Sequence, residues 1–411
     1  MHGALSSVAD RDVVENVVVF VSDALRYDFL PECVRRRGVT AKAIAPSTFT
    51  ASALPSLLTG QYPGTHGVWM FEDQLPERPP LLTPRGRTVG FDAETVWTEL
   101  PSGEKPPLQI HQLDAERKLA ELSPPFTHVV HDIGPHAPYG FDNDVFESTA
   151  EFFAQYENRR PQLVDLYRRD ASRSAERFLD VYSQLQSRDL LADTLVVFTS
   201  DHGQALGEPR NGGRFGHGHP LCPETVTVPV VFLGAGLPEG EHLSTLLSGA
   251  DVAPTALGAL GERPSGLDGV DVWHSPPPDG RRLRSDVFQH LSRDVLGHTV
   301  DLSVYAGTSL WNESGGHVFH HESAAQRLFA IAYDNLFRGY SPAWRRNATL
   351  GATVRLAALA LSSHVTYGSP DFSAETARVE TPESFDLDAG GAQVTLSTDQ
   401  EARLRNLGYL E

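Results

Sequence analysis

The chain has 411 residues, 40% of them hydrophobic and 21% charged. That is enough apolar material for one large α/β domain with additions, or for two or three domains, and it excludes a mainly disordered chain. Its net charge of −19, from 34 basic and 53 acidic residues, repels nucleic acid and anionic membrane surfaces at long range, so no nucleic-acid partner is expected. Only Lys42, Lys105 and Lys118 are lysines. An acid-rich, lysine-poor surface reads as halophilic, with a GC-rich genome as the other reading. Two cysteines, Cys33 and Cys222, cannot build a disulfide framework or a cysteine metal cluster. No run reaches the roughly 18 apolar residues of a membrane span. The first twenty residues carry acids where a signal peptide needs a basic start, so a cytoplasmic location is expected.

In chain order, Asn16–Ser22 is a near-continuous β-branched run and reads as a buried parallel strand. Val39–Ala45 is strand-like. The stretch from Ala45 leads into a short helix closed by Gly60, and hydroxyls at such a helix start lie in a field that suits an anionic substrate. Ser47, Thr48, Thr50 and Ser52 each also fit as helix caps. Pro76–Pro107 is rich in Pro, Gly and charge and reads as a surface insertion (about 71–108). Phe126–His131 and Thr194–Ser200 are two further buried strands. The helical pattern of Leu163–Leu190 lies between them. Val226–Leu233 contains Pro229 and is expected at an edge, or to begin late. Val252–Leu260 reads as a helix ending at Gly261, and Arg263–Arg282 as a linker. Val300–Tyr305 and Gly316–His320 are strand-like, and Gln400–Leu407 reads as a helix. Pro342–Leu387 shows little periodicity. Alternating strands and helices predict an α/β fold, a central mainly parallel sheet sandwiched by helices.

Each of the three buried strands runs into an aspartate: Asp23, Asp132 and Asp201. Ligands of open α/β sheets bind beyond the carboxyl ends of the strands. Three acids there repel one another unless a cation or protons intervene. His136, His202 and the cluster Phe215-Gly216-His217-Gly218-His219 follow. Asp and His without Cys suit Zn²⁺ or Mn²⁺, with Ca²⁺ or Mg²⁺ as alternatives. Taken singly, each acid is an ordinary cap and each histidine an ordinary surface or core residue; the coincidence is what points to a site.

Several segments resemble the alkaline phosphatase superfamily on its sulfatase-like branch. They are Val19–Asp28, Leu57-Leu58-Thr59-Gly60-Gln61-Tyr62-Pro63-Gly64-Thr65-His66-Gly67-Val68, His131–Tyr139, Phe198-Thr199-Ser200-Asp201-His202-Gly203-Gln204-Ala205-Leu206-Gly207-Glu208, Asp251–Thr255 with Gly261 and Leu267–Gly269, and the tail Leu404–Leu410. They run in order over about two-thirds of the chain, while Asp286–Thr398 matches poorly. The resemblance implies an alkaline phosphatase-like catalytic domain over residues 1–285 and a smaller C-terminal α+β part over 286–411. It implies one metal site from Asp23, Asp201 and His202. The family nucleophile lies ten residues before the glycine of the "LTG" segment, here Thr50, which would also touch the metal. Asp132, His136 and His217 then form either a second metal site or substrate-binding groups. His217 is preferred to His219 because it keeps the family distance to Glu224 and Val228-Pro229. Arg26 reaches the substrate or forms a surface ion pair.

Two departures weigh against sulfate-ester hydrolysis. Sulfatases carry Cys or Ser, converted to formylglycine, in a C/S-x-P-S-R motif, and this chain reads Thr50-Ala51-Ser52-Ala53-Leu54. They also usually carry two adjacent acids in the first strand, where this chain has Ser22-Asp23. The threonine resembles the phosphodiesterase and phosphotransferase members, which use it unmodified. The expectation is a metal-dependent hydrolase of phosphodiesters or phosphomonoesters working through a phospho-threonine, with a small molecule or glycan as substrate. A sulfuric ester hydrolase, a phosphotransferase of glycan or envelope-polymer synthesis and an inactive metal-binding relative are the alternatives.

Overall fold

The computed structural model describes residues 3–98, 100–139, 146, 148–157, 159–295, 298–385 and 392–409. The large sheet is built from β1 (Asn16–Ser22), β2 (Val39–Ile44), β3 (Thr88–Asp92), β4 (Phe126–Asp132), β5 (Thr194–Thr199) and β8 (Thr227–Gly234), in the order β2-β8-β5-β1-β4-β3. Two short strands, β9 (Glu241–His242) and β10 (Leu247–Ser248), run parallel to β2. A two-stranded ribbon, β6 (Ala205–Leu206) with β7 (Phe215–Gly216), stands apart from the sheet. The pairs β5-β1, β1-β4 and β4-β3 are parallel, and β8 runs antiparallel to both its neighbours. The expected α/β sandwich is therefore present.

Side-chain alternation along the three central strands positions the site. Successive residues of a strand point to opposite faces. Val18, Phe20, Val130, Val196 and Phe198 pack in one cluster with Phe178 of the long helix Arg160–Ser187. Phe20 meets Phe178 edge-on at 5.4 Å between ring centroids. Val17, Val19, Val21, Val129, Leu195 and Val197 pack in the other cluster, with Leu54, Leu57 and Leu58 of the helix Thr50–Thr59. Gly60 ends that helix at φ +76°, and its carbonyl accepts the amides of Asp268 and Gly269.

Three expectations are corrected. Residues 71–108 are not a surface insertion: they supply the edge strand β3 and bury Leu81, Leu82 and Trp97 in the core. The Pro229 strand is interior, between β2 and β5. Pro229 is tolerated because it lies one residue past the last β5–β8 pair, Thr199 with Val230. Its carbonyl faces β5 and accepts the Thr199 hydroxyl at 2.9 Å, so the missing N–H faces the same way, where no β5 partner remains. Residues 263–282 are tied down, with Val272 and Trp273 buried and the Trp273 indole donating to the Asp12 carbonyl at 2.7 Å.

The second half forms a four-stranded antiparallel sheet, β11 (Leu283–Val295), β12 (His298–Asn312), β13 (Gly315–His320) and β14 (His364–Gly368), in that order. The stretch without clear periodicity holds the helices Ser341–Asn347 and Leu350–Leu361, β14 and the helix Ala374–Glu380. The helix Thr398–Leu407 brings Tyr409 back beneath the large sheet. There its ring meets Phe49, Phe71 and Trp97.

Candidate active site

Asp23, His131 and Asp201 share the face that packs on the Thr50 helix. Their positions are in phase with Val21, Val129 and Val197, and all three are fully buried. One carboxylate or imidazole atom from each lies within 4.8 Å of the others. Asp201 Oδ1 accepts the amides of Ala24 and His202 at 3.2 and 2.9 Å. Asp201 Oδ2, Asp23 Oδ1 and His131 Nδ1 have no hydrogen-bond partner, while His131 Nε2 lies 3.3 Å from Asp23 Oδ2. His202 donates from Nδ1 to the Gly203 carbonyl at 3.0 Å. That fixes its tautomer and leaves a bare lone pair on Nε2. This nitrogen lies 3.7 Å from Asp23 Oδ1 and 3.6 Å from Asp201 Oδ2.

Thr50 opens its helix, and its Oγ1 is 3.1 Å from His202 Nε2 and 3.1 Å from the Tyr409 hydroxyl. Tyr409 donates to Asp23 Oδ2 at 2.9 Å. Burial pushes the phenol well above its ordinary range, and the charges of Asp23 and Asp201 add to this. Burial and the charge of Asp23 push Asp201 up. Burial acts on Asp23 too, but His136, His131 and His202 outweigh it and hold that carboxyl low. Two buried carboxylates, bare oxygens inward, beside imidazoles with free nitrogens are a donor set that suits a divalent cation. The orphaned atoms meet that test without any further group. Gly134 keeps the floor closed: at φ +53°, a Cβ there would lie 2.3 Å from the Asp23 carbonyl oxygen.

His136 and His217 stand beside this group, and the His217 ring stacks on His202 at 4.3 Å. His136 Nδ1 lies 2.9 Å from the Ala137 carbonyl and His217 Nδ1 3.2 Å from the Thr48 carbonyl. Carbonyls only accept, so both Nδ1 atoms are donors and the Nε2 atoms face each other at 3.1 Å. Burial lowers the pKa of both rings.

Asp132 is not in the group. It is one residue out of phase with His131, on the face of the long helix. There it accepts Ser174 Oγ at 2.6 Å, the Gly134 amide at 2.9 Å, Thr95 Oγ1 at 3.3 Å and two nitrogens of Arg177. No acceptor capacity is left to face a ligand. Arg26 is likewise engaged, in ion pairs of 2.6 Å to both Asp28 and Glu208. His219 stacks on Tyr305 and lies 2.9 Å from Asp334, apart from the Thr50 group. Two members went unrecognised in the sequence. His131 is the in-phase neighbour of Asp132, and strand parity alone would have found it. Tyr409 belongs to the tail segment, whose resemblance marked it without giving it a role.

The Sulfatase family model matches residues 111–262. The protein named Low-salt glycan biosynthesis sulfotransferase Agl7, from Haloferax volcanii, is 44% identical over 410 residues, 99% of this chain and 99% of its own. The chain belongs to the sulfatase family. Another relative, the Multifunctional alkaline phosphatase superfamily protein PehA of Trinickia caryophylli, is 35% identical over 94 residues, 22% of this chain and 17% of that one. Among solved structures, a phosphonate monoester hydrolase from Silicibacter pomeroyi superposes with a TM-score of 0.56 at 16% identity, covering 74% of this chain and 87% of that one. A 2-O GAG sulfatase gives 0.55 at 13% identity, with 75% and 83% covered. These two share the fold. This sulfatase-family chain is an enzyme of an ester-acting superfamily whose members bind divalent metal. Among the described residues no helix is long and apolar enough to cross a membrane.

Proposed function

We propose that this enzyme transfers a sulfuryl group between a sulfate ester and a glycan hydroxyl, with Thr50 as the covalent carrier and a divalent metal held by Asp23, Asp201, His202 and His131. The observation that carries this reading is Thr50 Oγ1 at 3.1 Å from His202 Nε2, on the rim of the bare carboxylates. The full-length likeness to a protein named as a glycan-biosynthesis sulfotransferase supports sulfur over phosphorus. It replaces phosphate as the favoured substrate.

Thr50 Oγ1 attacks sulfur, the S–O bond to the donor breaks, and the donor oxygen leaves with the bonding pair and takes a proton from solvent. The Thr50 proton departs toward the Tyr409 oxygen, whose own proton points at Asp23 Oδ2. An acceptor hydroxyl then attacks the same sulfur and loses its proton to solvent, the S–O bond to Thr50 breaks, and Thr50 recovers its proton by the reverse relay as the new ester leaves. His136 and His217 hold one proton between them and present it to the non-bridging oxygens. When bound, the metal lowers the pKa of the attacking hydroxyl and neutralises charge on the ester oxygens. A threonine ester has no second hydroxyl on its carbon with which to expel sulfate. It therefore persists until an acceptor arrives, which favours transfer over hydrolysis.

A second reading, phosphate-ester hydrolysis, draws on the unmodified threonine itself. The two separate in one experiment: metal-loaded enzyme is given an aryl sulfate or an aryl phosphodiester, each with and without a sugar acceptor. Sulfated sugar formed only with Thr50 intact supports the first reading. Turnover of the phosphodiester with no sulfuryl transfer overturns it in favour of the second.

A further inference from the structure

The helices Ala324–Leu336 and Leu350–Leu361 pack on each other through Ile331, Leu356 and Ala360. Arg327, buried, ties them together by donating to the carbonyls of Ala360 and Leu361. Their outer faces are apolar. Phe329, Tyr333 and Phe337 form a ridge of rings 6.0 and 5.9 Å apart. Leu350, Val354 and Leu361 are likewise exposed, along one side of the second helix. Phe329 is 71% exposed, Phe337 73% and Leu350 83%. Among the described residues, eight of the eleven exposed large apolar side chains lie between Leu328 and Leu361. Folded chains rarely leave so many large apolar side chains of one segment in water.

The charge of this segment is also opposite to that of the protein. Residues 324–361 hold five arginines (327, 338, 345, 346 and 355) and one acid, Asp334, for a net +4. The rest of the chain holds 34 − 5 = 29 basic and 53 − 1 = 52 acidic residues, a net −23. Arg345 and Arg346 are exposed, and Arg345 donates to the Leu336 carbonyl at 3.1 Å, which sets it at the edge of the apolar ridge.

We propose that this two-helix face seats the enzyme on an anionic lipid surface. Exposed aromatic and aliphatic side chains rimmed by arginine are what an interfacial helix pair presents to headgroups and acyl chains. A second copy meeting face to face would set +4 against +4. The acidic remainder of a second copy offers few exposed apolar side chains to cover the ridge. The same helix also lines a cleft through Asp334 and Asn335, which Arg338, Tyr340, Phe49 and His217 complete. The inference does not depend on which ester is transferred.

Flotation of the full chain with phosphatidylglycerol or phosphatidylcholine vesicles tests it. At least about tenfold more protein should float with the anionic vesicles. The double variant Phe329→Ser/Phe337→Ser should lose at least about tenfold of that binding, and so should Leu350→Ser/Leu361→Ser on the other helix. Arg345→Glu/Arg346→Glu should abolish the preference for anionic lipid at low salt. In molar salt, which screens that charge, wild type and the arginine variant should converge. All three variants should keep wild-type turnover of a soluble aryl ester, which shows that each is folded. Absence of flotation, or equal flotation of wild type and both serine variants, overturns the proposal. So does a wild-type dimer that the serine variants split, because the ridge would then belong to a second copy.

Discussion

His136 Nε2 and His217 Nε2 lie 3.1 Å apart, each ring having spent its Nδ1 proton on a backbone carbonyl. Two bare lone pairs at that distance repel, so the pair is complete only when one proton, or a ligand that brings one, lies between them. With Asp132 turned away, the one cluster of three or more candidate metal ligands among the described residues is Asp23, His131 and Asp201. His217→Ala should therefore leave the metal content at its wild-type value and raise KM about tenfold or more, with a smaller change in kcat. Elemental analysis beside steady-state kinetics checks this; a loss of one metal equivalent would restore the two-metal reading.

Thr50→Ala should lose at least about 10²–10³-fold in turnover, because no other hydroxyl reaches His202 Nε2 among the described residues. Thr50→Ser keeps the oxygen and should keep measurable activity. Ser52→Ala removes a hydroxyl bonded to Ser47 and the Phe49 carbonyl and should cost stability alone, about 1 kcal/mol. Initial rates and thermal melts of the three variants separate these outcomes.

Asp201→Asn and His131→Ala should both lower bound metal, the first to near zero, because the first alters a carboxylate with an unpartnered oxygen and the second removes the imidazole whose Nε2 lies 3.3 Å from Asp23 Oδ2. Asp132→Asn should keep the metal and destabilise the fold by about 1–3 kcal/mol, since it removes the charge that pairs with the half-buried Arg177. Metal stoichiometry set against melting temperature distinguishes the two faces of the sheet. Equal metal loss in all three variants would contradict the parity argument.

Tyr409→Phe removes the only hydroxyl that, among the described residues, touches both Thr50 and Asp23. Loss of such an orienting bond typically costs 10–100-fold in metal affinity or activity. Metal titration and turnover should each show a loss in that range, with the melting temperature little changed. Unchanged values for both would make the phenol a packing group.

Acid should weaken the fold through histidines outside the metal group. Burial lowers His66 to about 3 and His128 to about 4, against about 6.5 in an unfolded chain. A neutral histidine is therefore part of the native state at each position. Above pH 6.5 neither state binds the proton and stability is unaffected. Below it the unfolded chain takes protons that the folded one refuses, and stability falls until the folded pKa is reached. At pH 5 each costs about 2 kcal/mol. Melting temperatures between pH 8 and pH 5 should drop on that schedule, and His66→Gln should flatten its share of the slope.

The buried strands and the Thr50 helix were legible because each is a local pattern: an apolar run, or a short helix closed by Gly60. Acids at the strand ends pointed to a site, but it was the resemblance that grouped Asp23, Asp201 and His202 as candidate metal ligands. Asp132 was misread for a reason the strands themselves explain. An acid one residue earlier or later on a strand faces the opposite side, and counting from the strand ends does not fix that phase; counting from Val129 and Val197 does. Residues 71–108 were misread because Pro and Gly there punctuate short elements rather than a loop, and the buried Trp97 is a single residue without period. The role of Tyr409 was not legible, since nothing local ties a tyrosine to an aspartate 386 positions away.

That separation has a consequence for biosynthesis. A ribosome that has made β1, β4 and β5 has already delivered every carboxylate and imidazole of the candidate metal group, but not the phenol that spans Asp23 and Thr50. A nascent or truncated chain then carries the candidate ligand atoms without the phenol that orients Thr50. On the function proposed above, chemistry is withheld until the Thr398–Leu407 helix docks.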